Sequence, residues 1–304
     1  VWRFFANGWI HHDYINPRFH FTYFGFEWVH PWPGDWMYWH FVMLAVAALG
    51  IALGCCYRLC TIVFFFGFTY VFLLEESLYL NHFYLICLIS LQLIFVPAHS
   101  AYSIDAWLRP SLASQTMPAW CLWLTRFHIG LPYFFGGIAK LEWDWLLGIP
   151  MMHMMIPNVG LPVIGRFMAE WWVADIFAFG GMLFDLSIVP LLLWPKTRKM
   201  AYCMCLAFHL TNKLMLDIGI FPWFMIVATT IFFQPRWPRR FVRRLRRSPA
   251  ADVPVAPLAT PATHSPLTRM QRLTFQILIA WGLFQVLMPL RHLLYPGNCN
   301  WTEE

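Results

Sequence analysis

Apolar stretches of nearly membrane-crossing length recur along this chain of 304 residues. They lie at 37–56, 61–75, 80–97, 117–141, 173–194, 201–233 and 270–294. A helix needs about 20 apolar residues to cross a bilayer, and it satisfies its own backbone polar groups there. Because 60% of the residues are hydrophobic and only 12% are charged, we predict an all-α fold, a polytopic transmembrane helical bundle.

The longest run, 201–233, exceeds one straight crossing and contains Lys213, Asp217 and Gly219 near its middle. A turn at 217–219 would divide it into two crossings. This division places the basic residues between the spans on the cytoplasmic side, as the positive-inside rule requires. With a partial first span in the aromatic N-terminal segment 1–36, we expect about eight or nine spans in all.

The net charge of +6 comes from a short arginine-rich stretch. Its members are Arg236, Arg239, Arg240, Arg243, Arg244, Arg246 and Arg247. Beside apolar spans, such a stretch is typical of a cytoplasmic anchor on anionic membrane lipid, and we expect no nucleic-acid partner.

Composition divides the chain into three parts. Residues 1–247 form the predicted transmembrane domain. Residues 248–268, rich in Ser, Pro, Ala and Thr, are expected to be a flexible cytoplasmic linker. Residues 269–304 supply the last span and the start of an outer C-terminal region. Because the chain begins inside an aromatic segment and stops without a terminating element, we expect it to be an excerpt of a longer protein.

Three polar residues recur at intervals of seven in the segment 117–145: Arg126, Tyr133 and Lys140. Two turns of helix return to nearly the same direction, so these side chains are expected on one helix face, which in a membrane faces the bundle interior. Gly136 and Gly137 precede the lysine and let a helix or a flat ligand approach the backbone.

Two hypotheses fit Lys140. It could reach the outer interface and pair with Glu142 or Asp144. Alternatively, it could lie in a dry pocket. A lysine with an ordinary pKa of about 10.4 offers one free amine in about 2,500 at pH 7, but desolvation lowers that pKa by several units and frees the amine as a general base.

Other polar residues are expected on the same outer side. His82 begins one span just after Glu75 and Glu76, and His209 and Asn212 lie one turn apart on another. A lone histidine in a membrane commonly joins two helices by a hydrogen bond, but several such groups together favour a functional site. The spacing of histidines and cysteines fits no metal-binding motif, so we predict no metal.

An ordered series of motifs resembles the vitamin K-dependent gamma-glutamyl carboxylase family, including its bacterial relatives that carry the HTTM membrane domain. The motifs are PGDWMY at 33–38, LGCCYR at 53–58, YVFLL at 70–74, NHxYL at 81–85, SID at 103–105, YFxxxIxKLxxDW at 133–145, FH at 208–209, IGIF at 218–221, WPR at 237–239 and NWT at 300–302. Their order and spacing, rather than any one motif, carry the resemblance.

The resemblance implies the residue roles and the chemistry. Lys140 falls at the catalytic base and His82 at a histidine required for activity, while Arg126 and Tyr133 match positions on the lysine's helix. The implied reaction begins when the amine removes a proton from reduced vitamin K or a related quinol. Dioxygen then adds, and epoxide formation generates a strong base. That base removes the γ hydrogen of a glutamate, and the carbanion takes up carbon dioxide.

The resemblance further implies a multi-pass membrane enzyme with its site towards the outer face and a glutamate-containing peptide or protein as partner. His209 and Asn212 are expected in the quinol or substrate pocket with Arg126 and Tyr133. The family's extramembrane domain after the NWT motif is absent from this sequence, and Ala139 replaces its second lysine. Two alternatives are quinol epoxidation without carboxylation and a non-catalytic quinone-binding membrane module. The lack of an internal repeat disfavours a transporter.

Overall fold

The structure is a computed structural model that describes residues 1–215, 219–238, 241 and 268–290. These residues form helices joined by loops, without a β-strand among them, which confirms the predicted all-α class for this part of the chain. The α-helices are α1 Trp2–Ala6, α2 Trp36–Leu53, α3 Tyr57–Leu73, α4 Asn81–Phe95, α5 Ile104–Leu108, α6 Ala119–Ala139, α7 Trp143–Leu146, α8 Ile149–Met155, α9 Trp171–Leu193, α10 Arg198–Met215, α11 Phe221–Ala228 and α12 Arg269–Leu287. A π-helix lies at Ile10–Ile15, and 3-10 helices lie at Glu76–Leu78, Ala98–Ser100, Pro110–Leu112, Ile156–Asn158, Gly165–Phe167 and Thr229–Phe232.

The long apolar run 201–233 forms two helices, as the sequence predicts. Helix α10 ends at Met215 and α11 begins at Phe221. Between them Gly219 has a φ of 66°, a left-handed conformation that favours glycine. Asp217 and Ile218 of the predicted turn lie outside the described residues.

Two of the described helices, α2 and α9, are long and apolar enough to cross a membrane by length and composition. Three shorter apolar helices lie at Tyr57–Leu73, Asn81–Phe95 and Phe221–Phe232. The expected eight or nine crossings are therefore not established by helix length. The N-terminal segment, where the sequence predicts a partial first span, forms the five-residue α1 and the π-helix Ile10–Ile15.

The chain divides into two compact units, Val1–Pro235 and Arg236–Glu304. Most of the predicted linker lies outside the described residues, as do the arginines after Arg236 and the NWT motif. Thr268, the last residue of that linker, begins α12: its hydroxyl accepts from the backbone N–H of Gln271, whose side chain accepts in return from the backbone of Thr268.

Helix α6 packs closely along α9 because glycine replaces a side chain at their contact. A Cβ at Gly137 would lie 2.6 Å from Leu186 Cδ2 and 3.1 Å from the Leu186 backbone nitrogen, so the two backbones could not keep their separation. At Gly130 a Cβ would meet Val189 at 3.4 Å, an ordinary contact. Gly137 therefore sets how closely α6 approaches α9, which positions the residues that follow it.

Two sequence motifs meet at the start of α3. The Asp105 carboxylate accepts from the backbone N–H groups of Cys56 and Tyr57, both at 2.9 Å, and so caps the helix from 48 residues downstream. Gly54 turns the chain there with a φ of 61°, and a Cβ on it would lie 2.3 Å from Ser103 Cβ. The LGCCYR and SID motifs thus form one helix cap.

We expect Gly137→Ala to lower the free energy of unfolding by about 1–3 kcal/mol, because the new methyl group overpacks the contact with Leu186. Gly130→Ala is the matched control and should be neutral or slightly stabilising, since it removes glycine from a helix without a clash. Thermal unfolding of both variants in detergent measures the difference. Equal stability of the two variants would contradict this account of the α6–α9 contact.

The cap of α3 should make stability depend on pH. Hydrogen bonds from the backbone of Tyr57 and Cys56 hold the pKa of Asp105 below its usual range, despite some desolvation. Because the pKa is lower in the folded state, the ionised carboxylate stabilises the fold at any pH above the pKa of the unfolded state, which is about 3.9. This stabilisation is lost as the pH falls through the pKa of the folded state. The melting temperature of the wild type should therefore exceed that of Asp105→Asn near pH 6 and converge with it in acid. A constant difference down to pH 3 would show that the charge on Asp105 contributes nothing.

Candidate functional site

Lys140 directly follows α6 and lies against α9. Its Nζ donates to Asp185 Oδ2 at 2.6 Å and to the Gly136 carbonyl at 3.2 Å, and lies 5.0 Å from the centroid of the Trp145 ring. The side chain of Lys140 is 20% exposed and that of Asp185 is 7% exposed. The amine is thus held between a carboxylate, a carbonyl and an aromatic face, with one side open.

The structure pairs the lysine with Asp185, a residue that neither hypothesis for Lys140 included. Both hypotheses considered only residues close in sequence, whereas Asp185 lies 45 residues away on α9. A signal for it was present: Asp185 is a carboxylate deep within an otherwise apolar span, where an ionisable residue commonly has a partner.

Gly136 leaves the polar pair open on the side of α6. A Cβ at this position would lie 3.4 Å from Asp185 Oδ2 and 3.7 Å from Lys140 Nζ. With glycine there, the carboxylate and the amine face bare helix backbone instead of a side chain.

Tyr133, one step of seven before Lys140, belongs to a second polar cluster. Its hydroxyl lies 2.6 Å from His209 Nε2 and 3.3 Å from Thr229 Oγ1. All three residues are buried, and the tyrosine ring packs edge-on against Phe184 of α9. The Nδ1 atom of His209 has no hydrogen-bond partner among the described residues. The cluster joins α6, α10 and the 3-10 helix Thr229–Phe232.

His82 approaches this cluster through one aromatic ring. The Phe221 ring lies 5.3 Å from His82 and 6.3 Å from His209, measured between centroids. His209 in turn lies 5.8 Å from the Tyr133 ring. Three of the predicted site residues therefore share one aromatic cluster, with Phe221 between them. Asn212 lies one turn beyond His209 on α10 and is half-buried.

Arg126 lies with a different part of the structure. Its guanidinium donates to the carbonyl oxygens of Ile231, Phe232 and Phe233 and lies over the Trp123 ring. These carbonyls end the 3-10 helix, so the arginine caps it. Arg126 is 14 residues from Lys140 along α6, about 21 Å of helix rise. The structure therefore gives the arginine a structural contact and does not bring it to the lysine.

Glu75 forms hydrogen bonds with the N-terminal segment. Its buried carboxylate accepts from the His20 ring at 3.1 Å, from the Phe21 backbone N–H and from the Ser77 hydroxyl. It therefore anchors residues 20–21 to the end of α3. Within the described part of the chain, no group of three or more His, Cys, Asp or Glu side chains is arranged to hold a metal ion.

The described residues form an α-helical domain with a partly buried amine–carboxylate pair and an aromatic cluster, and two of its helices are long and apolar enough to cross a membrane. The family model of the HTTM domain matches residues 1–237, and the chain belongs to the HTTM domain family. This match is consistent with the HTTM domain of the vitamin K-dependent carboxylase family, whose members are enzymes. No solved structure matches the chain significantly.

We expect Tyr133→Phe to destabilise the protein by about 1–3 kcal/mol, because it leaves His209 Nε2 buried without its 2.6 Å partner. Tyr202→Phe on α10 is the control: it removes a half-buried hydroxyl that donates to the Ile226 carbonyl at 3.3 Å, and should cost less. Thermal unfolding of the two variants tests the difference. A larger loss for Tyr202→Phe would refute the assigned importance of the Tyr133–His209 bond.

Proposed function

We propose that this chain is the membrane domain of a quinol-dependent gamma-glutamyl carboxylase-like enzyme, with Lys140 as the base that takes a proton from the quinol. The position of Lys140 Nζ, held between Asp185 and the backbone of Gly136 with one side open, is the observation that supports it most strongly. The resemblance of the motif at 133–145 assigns Lys140 to the family's catalytic base, and the family match includes this segment.

Three features of the chain serve the proton transfer. Lys140 offers an amine on a partly exposed surface, so a bound molecule can reach it. Gly136 keeps that surface free of a side chain. His82, Phe221 and Tyr133 provide aromatic faces and polar atoms in the adjoining cluster, which suit a flat ring carrying hydroxyl groups.

The quinol supplies what no side chain can. A carbon-bound hydrogen next to a carboxylate is too weakly acidic for an amine, and each unit of pKa mismatch costs about 1.4 kcal/mol. Oxidation of the quinol by dioxygen provides a stronger base for the glutamate, and the resulting carbanion takes up carbon dioxide. The apolar helices around the site help to keep water away from this chemistry.

A multi-pass arrangement of about eight or nine spans with the site towards the outer face agrees with this function. The shorter helix α3, of 17 residues, rises about 26 Å, close to the thickness of the hydrocarbon core. The co-substrates would be reduced vitamin K or a related quinol, dioxygen and carbon dioxide, without a metal. A glutamate-containing peptide or protein is the proposed partner, beside membrane lipid.

The test uses the full-length protein in nanodiscs with reduced vitamin K, dioxygen, labelled bicarbonate and a glutamate-containing peptide. We expect quinone epoxide and fixed label to form together and both to be lost in Lys140→Ala, by about 10²–10⁴-fold or more for removal of a general base. Lys140→Arg should fail as well, because a guanidinium stays protonated. Lys199→Ala, an exposed lysine of α10, is the matched control and should keep full activity.

The two products separate the alternatives. Epoxide without fixed label would indicate a quinol oxygenase that does not carboxylate. Neither product, from protein that melts cooperatively, would indicate a non-catalytic quinone-binding module. Full turnover in Lys140→Ala would show that another group is the base.

A further inference from the structure

We propose that Asp185 is a positioning residue that takes the proton of Lys140, so that the base is an amine–carboxylate pair sharing one proton. This inference rests on the proposed function, because it concerns the lysine assigned there as the base. It assigns a role to a residue that the motifs do not include and that lies on a different helix.

The geometry of the pair favours direct proton transfer. Lys140 Nζ and Asp185 Oδ2 are 2.6 Å apart, slightly shorter than the usual charge-assisted N–H···O hydrogen bond of about 2.7–2.9 Å. Asp185 is nearly fully buried in the middle of α9, whereas Lys140 keeps one side open. The carboxylate thus lies behind the amine, away from the surface through which a quinol would approach.

Few ionisable groups act on Asp185, and the carboxylates closest to Lys140 in sequence are Glu142 and Asp144. Tyr133 of α6 and Cys205 of α10 lie close enough to interact electrostatically with Asp185, and both are neutral in their ordinary state. Among the described residues, the charged group that acts on Asp185 is Lys140. Trp145 of α7 contributes only its ring. The proton therefore has two main sites, the amine and the carboxylate.

A pair that holds one proton is neutral overall in either form. The charged form, ammonium and carboxylate, loses favour in poorly hydrated surroundings, where burial penalises both ions. Transfer breaks an N–H bond of Lys140 and forms an O–H bond on Asp185, leaving a free amine without releasing a proton to water. The amine lone pair then accepts the hydroxyl proton of the quinol: the O–H bond breaks, an N–H bond forms, and the new ammonium balances the quinol anion.

The test follows from this proton count. In the wild type, a free amine arises within the pair, so the rate of epoxide formation should vary little between about pH 6.5 and 8.5. In Asp185→Asn the partly exposed amine must lose its proton to water. The rate should therefore be lower than in the wild type at neutral pH and should rise with pH. Asp185→Glu keeps a carboxylate and should restore most of the activity and the flat profile.

A second measurement does not depend on turnover. The rate at which an amine-reactive reagent modifies Lys140, followed by mass spectrometry across the same pH range, reports the free amine. It should be nearly constant in the wild type and rise with pH in Asp185→Asn. Asp175→Asn, the other carboxylate on α9, is the matched control and should behave as the wild type in both measurements.

Each outcome decides one question. Loss of activity by the same factor at every pH in Asp185→Asn, with an unchanged modification profile, would overturn the inference and leave Lys140 as the base, with Asp185 only holding it in place. A wild type without quinol-dependent turnover would refute the proposed function instead. The modification profile would then still decide whether the pair shares its proton: a wild-type profile that rises like that of Asp185→Asn would overturn the inference.

Discussion

Polar groups inside an apolar bundle need partners within the protein, and this requirement determines how the helices are joined. The amine at the end of α6 pairs with the carboxylate in the middle of α9. The hydroxyl of Tyr133, seven residues earlier, forms a hydrogen bond with His209 of α10. In the first half of α6, Arg126 donates to the carbonyls that end a 3-10 helix. Helix α6 is thus tied to its neighbours by polar contacts along its whole length.

Close approach of the backbones makes these polar contacts possible. Gly137 allows α6 to lie against Leu186, the residue that directly follows Asp185. A larger residue would move the lysine away from the carboxylate, because both lie within four residues of the contact. Packing and chemistry therefore depend on the same few positions, and a stability change at Gly137 is also expected to alter the proton equilibrium of the pair.

The long helices could be predicted from the sequence because the length of an apolar segment can be read directly from its residues. The division of the run 201–233 followed from the polar residues near its middle, and the two helices α10 and α11 lie on either side of them.

Spacing along α6 identified Tyr133 and Lys140 as residues of one helix face, but spacing does not tell which other helix a side chain contacts. The partner of Lys140 is 45 residues away, and Arg126 meets carbonyls more than 100 residues away. Such pairs depend on how helices pack, which a single sequence does not encode in any local pattern. Phe221 belongs to the IGIF motif, but its place between His82 and His209 could not be predicted for the same reason: a phenylalanine in an apolar run does not indicate which rings it contacts.

The helix cap supplied by Asp105 bears on the order in which the chain assembles during synthesis. The carboxylate that satisfies the first N–H groups of α3 is made 48 residues after Tyr57, when α4 has already been synthesised. Until then, the start of α3 depends on water for its hydrogen bonds, so it must remain at the aqueous boundary. Binding of Asp105 then joins the start of α3 to the segment that follows α4. The start of α3 and the segment after α4 are thereby joined before the synthesis of α6 is complete. Helix α6 is the helix that leads to Lys140.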